Sequence, residues 1–94
     1  MQDIQLAMKW MDEGQADKAV QHLENVYHEK SPDEKFTIAQ IFEDWGYFEK
    51  AIDKYADLLK SFPSETELKI KLAELYIELK NDDHALQMLE NISE

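Results

Sequence analysis

The sequence predicts an all-α fold of about six helices arranged as antiparallel helix–turn–helix pairs, and three observations lead to it. Apolar residues recur at i, i+3, i+4 and i+7 along much of the 94-residue chain, which is the spacing of one helix face. Only two glycines and two prolines are present, too few for a fold of many strands and turns. Small and apolar residues also repeat at a nearly fixed interval, which is typical of stacked helical units.

Alanine and glycine define the repeat interval. A shift of 34 residues carries Ala39 onto Ala73, and a backward shift of 32 residues carries it onto Ala7. The same backward shift carries Gly46 onto Gly14. We therefore predict a single domain, 1–94, made of three units near residues 1–31, 32–65 and 66–94.

The ends of the first three helices are indicated by local sequence. Gly14 and Gly46 fall where the first helix of a unit must turn, and glycine tolerates the left-handed geometry of a helix end. Ser31, Pro32 and Glu34 supply a hydroxyl cap, a proline at the first helical position and a glutamate that closes a capping box. The predicted helices lie near residues 2–13, 16–29, 32–45, 48–61, 65–79 and 82–92.

The last three helices follow from similar signals. The fourth helix has one apolar face at i, i+3, i+4, i+7, i+11 and i+14, formed by Phe48, Ala51, Ile52, Tyr55, Leu59 and Phe62. Pro63 ends this helix, and the spacing from Ser64 to Glu67 predicts a second capping box at the start of the fifth. Asn81 replaces the turn glycine in the third unit, and asparagine is the next-best residue for that geometry.

Composition excludes several classes of function. Ten lysines and no arginine stand against 21 acidic residues, a net charge of −11, which disfavours binding to nucleic acid or to an anionic membrane. The absence of cysteine excludes disulfides, thiolate catalysis and cysteine-based zinc sites. The N-terminal residues form no apolar run, so we expect no secretory signal and predict a cytoplasmic location.

The residues of the middle unit resemble the tetratricopeptide repeat, a helix–turn–helix unit of 34 residues. The residues that carry the resemblance are Ala39, Phe42, Gly46, Phe48, Ala51, Tyr55, Leu58 and Pro63. The first unit departs from the pattern by being two residues short, and the third by lacking the turn glycine. The resemblance extends over the whole chain. It implies a right-handed α-solenoid whose first helices line a concave groove that binds a peptide or protein without catalysis.

Superposing the three units separates two packing stripes on the first helices. One stripe is apolar in every unit and is expected to pack on the paired helix; it comprises Leu6, Ala7, Trp10, Ile38, Ala39, Phe42, Leu72, Ala73 and Tyr76. The other is expected to pack on the preceding unit. It contains Ile41 and Trp45, matched by Leu75 and Leu79, but polar Lys9 and Glu13 in the first unit. We therefore expect the first helix to be the solvated end of the solenoid.

A third stripe, at i, i+4 and i+7 of each first helix, lines the groove that the resemblance implies. It comprises Ile4, Met8 and Met11, then Phe36, Gln40 and Glu43, then Ile70, Glu74 and Ile77. Beside it lie Asp12, Thr37, Asp44, Lys71 and Glu78. This apolar strip bordered by acids predicts a partner with apolar anchors and basic flanks. The alternative is that Met8 and Met11 pack on neighbouring loops or on another chain.

One subset of the family clamps the C-terminal carboxylate of its partner with lysine and asparagine at groove positions. Those positions here hold Ile4, Met8, Thr37, Glu67 and Lys71. Only Lys71 suits the task, so binding of an acidic chaperone tail is not predicted.

No catalytic, cofactor or metal site is predicted. His22, His28 and His84 do not share one helix face, and solvated histidines are the simpler interpretation. The sequence therefore predicts a non-enzymatic protein-interaction module. Two alternatives remain: a small chaperone-like scaffold for a client protein, and a self-assembling element that forms a homo-oligomer through Leu86 and Leu89 of the C-terminal helix.

Overall fold

The computed structural model describes residues 2–79, and this part of the chain contains five α-helices and no strand. They are α1 (Gln2–Asp12), α2 (Ala16–Val26), α3 (Pro32–Asp44), α4 (Phe48–Ser61) and α5 (Thr66–Glu78), with a 3-10 turn at Tyr27–Glu29. Four of the predicted helices are confirmed to within one residue at each end. The second ends as an α-helix at Val26 and continues as the 3-10 turn. The predicted helix near 82–92 lies outside the described residues.

The turns within the first two units confirm the role predicted for glycine. Gly14 and Gly46 have φ values of 81° and 86°, in the left-handed region that residues with a side chain rarely adopt. In both turns the residue after the glycine donates its N–H to the carbonyl five residues back, at 2.8 Å. This bond satisfies a carbonyl that the helix end would otherwise leave without a partner.

Of the two predicted capping boxes, one forms. The Glu34 N–H donates to the Ser31 hydroxyl at 3.3 Å, and that hydroxyl donates to the Glu34 carboxylate at 3.1 Å. The hydrogen bond from Ser31 holds the pKa of Glu34 below its ordinary value. The box predicted at Ser64 is wrong. The Glu65 N–H bonds back to the Phe62 carbonyl at 3.0 Å, and this turn makes Glu65 the residue that caps α5, without a side-chain bond.

The helices pack as successive pairs. α1 packs on α2, α3 packs on α4, and α5 packs on α4. Small residues lie where the paired helices meet, and the four alanines Ala7, Ala19, Ala39 and Ala51 are fully buried. The largest fully buried side chains are Tyr27, Phe42 and Tyr55. This core fixes the directions in which the first helices present their remaining faces.

Two residues of the packing stripes are exposed instead of buried. Leu6 is exposed, whereas its mates Ile38 and Leu72 are buried. Leu79 at the C-cap of α5 is also exposed, although Leu75 one turn earlier is buried as expected.

Candidate peptide-binding groove

The predicted groove stripe has three apolar side chains that face solvent. Met8 on α1 is 47% exposed, and Ile70 and Ile77 on α5 are 42% and 52% exposed. Removing long apolar side chains from water lowers the free energy of a complex, so exposed ones favour binding of a partner. These three residues therefore supply apolar contact surface at both ends of the stripe.

The prediction that Ile4 lines the groove is wrong. Ile4 is 2% exposed and belongs to the core. It packs among the buried side chains of the core, which leaves it no surface for a partner. Beside it, the Asp3 carboxylate accepts a hydrogen bond from the Lys30 ammonium at 2.6 Å, and this ion pair ties the start of α1 to the end of the first unit. Met11 also packs partly on the core, so only part of its side chain remains open to a partner.

The acids beside the stripe differ in how free they are. Asp12, Asp44, Glu74 and Glu78 are exposed, as a charged border requires. Glu43 is different, because its carboxylate accepts a hydrogen bond from the Tyr55 hydroxyl at 2.9 Å. Glu43 therefore serves α3–α4 packing as well as the border, and its replacement would disturb both.

The remaining polar residues of the stripe are half-buried. Thr37 donates its hydroxyl to the Asp33 carbonyl within α3, at 3.1 Å, which uses the only proton that this side chain can donate. Gln40 and Lys71 are partly covered, and Lys71 is the base of the stripe. One half-buried base among several exposed acids leaves the face negative.

Phe36 lies near the start of α3 and packs against the core. Its ring meets the ring of buried Tyr55 at 5.5 Å in an edge-on arrangement. Burial, and then the bond to Glu43, raise the pKa of the Tyr55 hydroxyl above its ordinary value, so it stays a proton donor at neutral pH. Phe36 is thus held by a fixed aromatic contact while part of its surface remains open.

An open pocket of about 310 Å³ lies beside Phe36, between the start of α3, the end of α4 and the start of α5. We call it the Phe36–Phe62 pocket; its lining residues are Pro32, Asp33, Phe36, Leu58, Phe62, Glu65, Glu67 and Leu68. Sequence reasoning missed this pocket because it placed Phe62 on the inner face of the fourth helix. That helix ends at Ser61, and Phe62 leaves the helical register and is 45% exposed.

The repeat itself held a signal for the acids of this pocket. Asp33 and Glu67 are 34 residues apart, so they occupy the same position in successive units. Both lie in the first turn of a helix, where a negative charge is favourable. A carboxylate therefore recurs at the start of the first helix in both units.

The first and second units are joined by a polar network around the buried Lys54 side chain. The Lys54 ammonium is 2.7 Å from Glu24 of α2 and 3.2 Å from the exposed Asp53, and the Tyr27 hydroxyl shares its one proton between the Lys54 carbonyl and Asp57. Burial opposes the charge of Lys54, but the hydrogen bonds to Glu24 and Asp53 outweigh it and raise its pKa. This network holds the two units in register.

The interpretation of His22 as a solvated histidine is wrong. The Nε2 atom of His22 lies 3.3 Å from the Asp3 carboxylate, and the His22 ring packs edge-on against Trp10 at 5.2 Å. His28 is exposed. Among residues 2–79, no three histidine, aspartate or glutamate side chains come together as metal ligands. In the same range no helix is both long enough and apolar enough to cross a membrane. His84 and the predicted oligomer contacts Leu86 and Leu89 lie outside the described residues.

Comparisons with known proteins agree with this architecture. The model of the tetratricopeptide repeat family matches residues 46–94. The chain is 36% identical over 91 residues to the TPR repeat-containing protein YpiA of Bacillus subtilis (strain 168), an alignment that covers 97% of this chain and 22% of that protein. This chain therefore spans about a fifth of the length of its relative. No solved structure matches it significantly. The paired helices, the turn glycines and the family match lead to one conclusion: the chain belongs to the tetratricopeptide repeat family.

Proposed function

We propose that the protein is a non-enzymatic interaction module that binds a peptide or helical segment of another protein on the face formed by α1, α3 and α5. The bound segment carries apolar anchors and basic flanks. The observation that carries this proposal is the exposure of the apolar side chains Met8, Ile70 and Ile77 on helices that also bear exposed acids. Members of the family serve as protein-binding scaffolds, which supports the general class of function.

Charge supports a basic partner. The chain has a net charge of −11, and the exposed border acids add a local negative field along the face. Such a field attracts a cationic segment, raises its association rate and repels a second acidic chain. The apolar anchors supply most of the affinity, since binding energy concentrates in a few well-buried contacts. The acids therefore select the partner, and the apolar residues hold it.

Two peptides of equal length test the proposal. Both carry the same leucine anchors, one with lysine and arginine flanks and the other with glutamate flanks, and their affinities are measured by fluorescence anisotropy. We expect the basic peptide to bind more tightly and its association rate to fall as salt is added. Tighter binding of the acidic peptide would overturn the proposal.

A pair of variants tests whether the binding occurs on the proposed face. Met8→Ser combined with Ile77→Ser removes two exposed anchors and is expected to weaken binding of the basic peptide. Leu6→Ser is the matched control, because Leu6 is an exposed apolar residue of α1 that lies outside the predicted groove stripe. Equal losses in the two variants would show that the peptide binds elsewhere.

A further inference from the structure

We propose that the Phe36–Phe62 pocket accepts an arginine side chain of the partner. This inference rests on the proposed function and names the chemistry of one anchor. The pocket joins two surfaces that a single residue must satisfy together: an apolar floor and an acidic rim.

The floor is built from four apolar side chains. Leu58 and Leu68 are buried at its base, Phe36 is held against Tyr55, and Phe62 forms an exposed wall. A long aliphatic stem that enters the pocket loses contact with water and gains contact with these rings. The floor by itself would accept any apolar anchor.

The acidic rim favours a cationic anchor over an uncharged one. Asp33, Glu65 and Glu67 are all exposed, and the described lining residues include no lysine. The starts of α3 and α5 contribute about half a positive elementary charge each, so the helix ends offset roughly one of the three negative charges. The remaining field is negative. An uncharged anchor would cover part of these carboxylates without offering them a donor, whereas a cation at the end of the stem pairs with them.

Arginine fits better than lysine for two reasons. Its planar guanidinium stacks on aromatic rings and is more weakly hydrated than an ammonium. Its desolvation beside Phe36 and Phe62 therefore costs less free energy. Its five N–H groups also form a fork that reaches two carboxylates at once, and Asp33 and Glu67 come to the rim from different helices.

The occupant is another protein and not a second copy of this chain. The chain contains no arginine, and its net charge of −11 opposes contact between two copies at an acidic pocket. The partner is therefore an arginine-bearing segment whose neighbouring residues include apolar anchors.

Short blocked peptides test the assignment directly. The probes are acetyl-Gly-Leu-Xaa-Leu-Gly-amide with arginine, lysine or citrulline at Xaa; citrulline matches the shape of arginine without its charge. Each is titrated into the full chain and followed by amide chemical shifts. We expect the arginine peptide to shift the amides of Phe36, Phe62 and Glu67 and to bind about fivefold more tightly than the citrulline peptide.

Variants separate the pocket from the general charge of the protein. Asp33→Asn with Glu67→Gln is expected to abolish the preference for arginine over citrulline. Asp17→Asn with Glu13→Gln removes the same charge by the same two kinds of substitution, at exposed positions outside the pocket, and is expected to preserve the preference. A preference that survives the pocket variant, or falls equally in the control, overturns the assignment.

The peptide outcomes also separate this inference from the proposed function. Equal binding of the arginine and citrulline peptides at the same amides overturns the arginine assignment and leaves the groove as a binding face. Equal binding of the lysine and arginine peptides likewise overturns the choice of arginine. Shifts confined to amides away from the pocket overturn the site, and no shift with any peptide contradicts the groove together with the pocket.

Discussion

The first unit closes one edge of its helix pair with an ion pair, and the second unit leaves the equivalent edge open. In the first unit, Asp3 pairs with Lys30 at 2.6 Å, and Ile4 beside them is buried. A shift of 32 residues places Lys35, Phe36 and Phe62 at these positions in the second unit. Lysine and phenylalanine form no ion pair, so the two ends lack this tie and Phe36 remains partly open beside a pocket.

This difference shows how one repeat frame carries both structure and recognition. The helices, turn glycines and buried alanines are the same in the two units, and they supply the shared scaffold. The edge residues differ: Asp3 pairs with Lys30 in the first unit, whereas Lys35 and Phe62 occupy these positions in the second. In the first unit they add a tie across the unit, and in the second Phe62 lines the Phe36–Phe62 pocket.

The largest expected effect is the loss of stability in Ile4→Ala, compared with that in Phe36→Ala. Ile4→Ala removes buried methyl groups and leaves a cavity, so we expect the free energy of unfolding to fall by about 2–5 kcal/mol. Phe36→Ala removes a half-buried ring, and we expect a smaller loss. Urea unfolding followed by circular dichroism measures both. Equal losses would mean that the two edges do not differ in the way described.

Introducing the equivalent of the Asp3–Lys30 ion pair into the second unit tests the comparison. Lys35→Asp with Phe62→Lys copies the charges of Asp3 and Lys30, removes one wall of the pocket and is expected to draw the ends together. Binding of the basic peptide should weaken about tenfold or more, the usual effect of losing a hot-spot contact. Lys35→Asp alone is the control, since it adds an acid and keeps Phe62. Wild-type affinity in the double variant would contradict the role of this edge.

The Asp3–Lys30 ion pair of the first unit also predicts a small dependence of stability on pH. The hydrogen bond from Lys30 lowers the pKa of Asp3 from its ordinary value of 3.8. A lowered pKa contributes stability that is present above the ordinary value and is lost as the pH falls through the folded value. We expect the wild type to be more stable than Asp3→Asn at pH 6 and this advantage to shrink at pH 3. An advantage that is constant with pH would exclude a charged pair.

Sequence reasoning predicted the helices well and the groove edge less well, and the reason is physical. Helix positions follow from spacing and from turn residues within a few positions, so Gly14, Gly46 and Ser31 sufficed. The burial of Ile4 depends on tertiary packing in the core, and the ion pair beside it joins residues 27 positions apart. The exposure of Phe62 depends on the chain leaving the helical register directly after Ser61. Pro63 marks the end of that helix in the sequence, but it does not show that the Phe62 ring becomes exposed.

The most direct test of the account compares the basic leucine-anchored peptide on three proteins: the wild type, Phe36→Ala and Met8→Ala. The account places the main anchor at the open edge of the second unit, so Phe36→Ala is expected to weaken binding by about 1–3 kcal/mol, within the range of hot-spot residues. Met8→Ala, in the first unit, is expected to cost less, with circular dichroism confirming that both variants are folded. Wild-type affinity in Phe36→Ala, or a larger loss in Met8→Ala, would contradict the central claim.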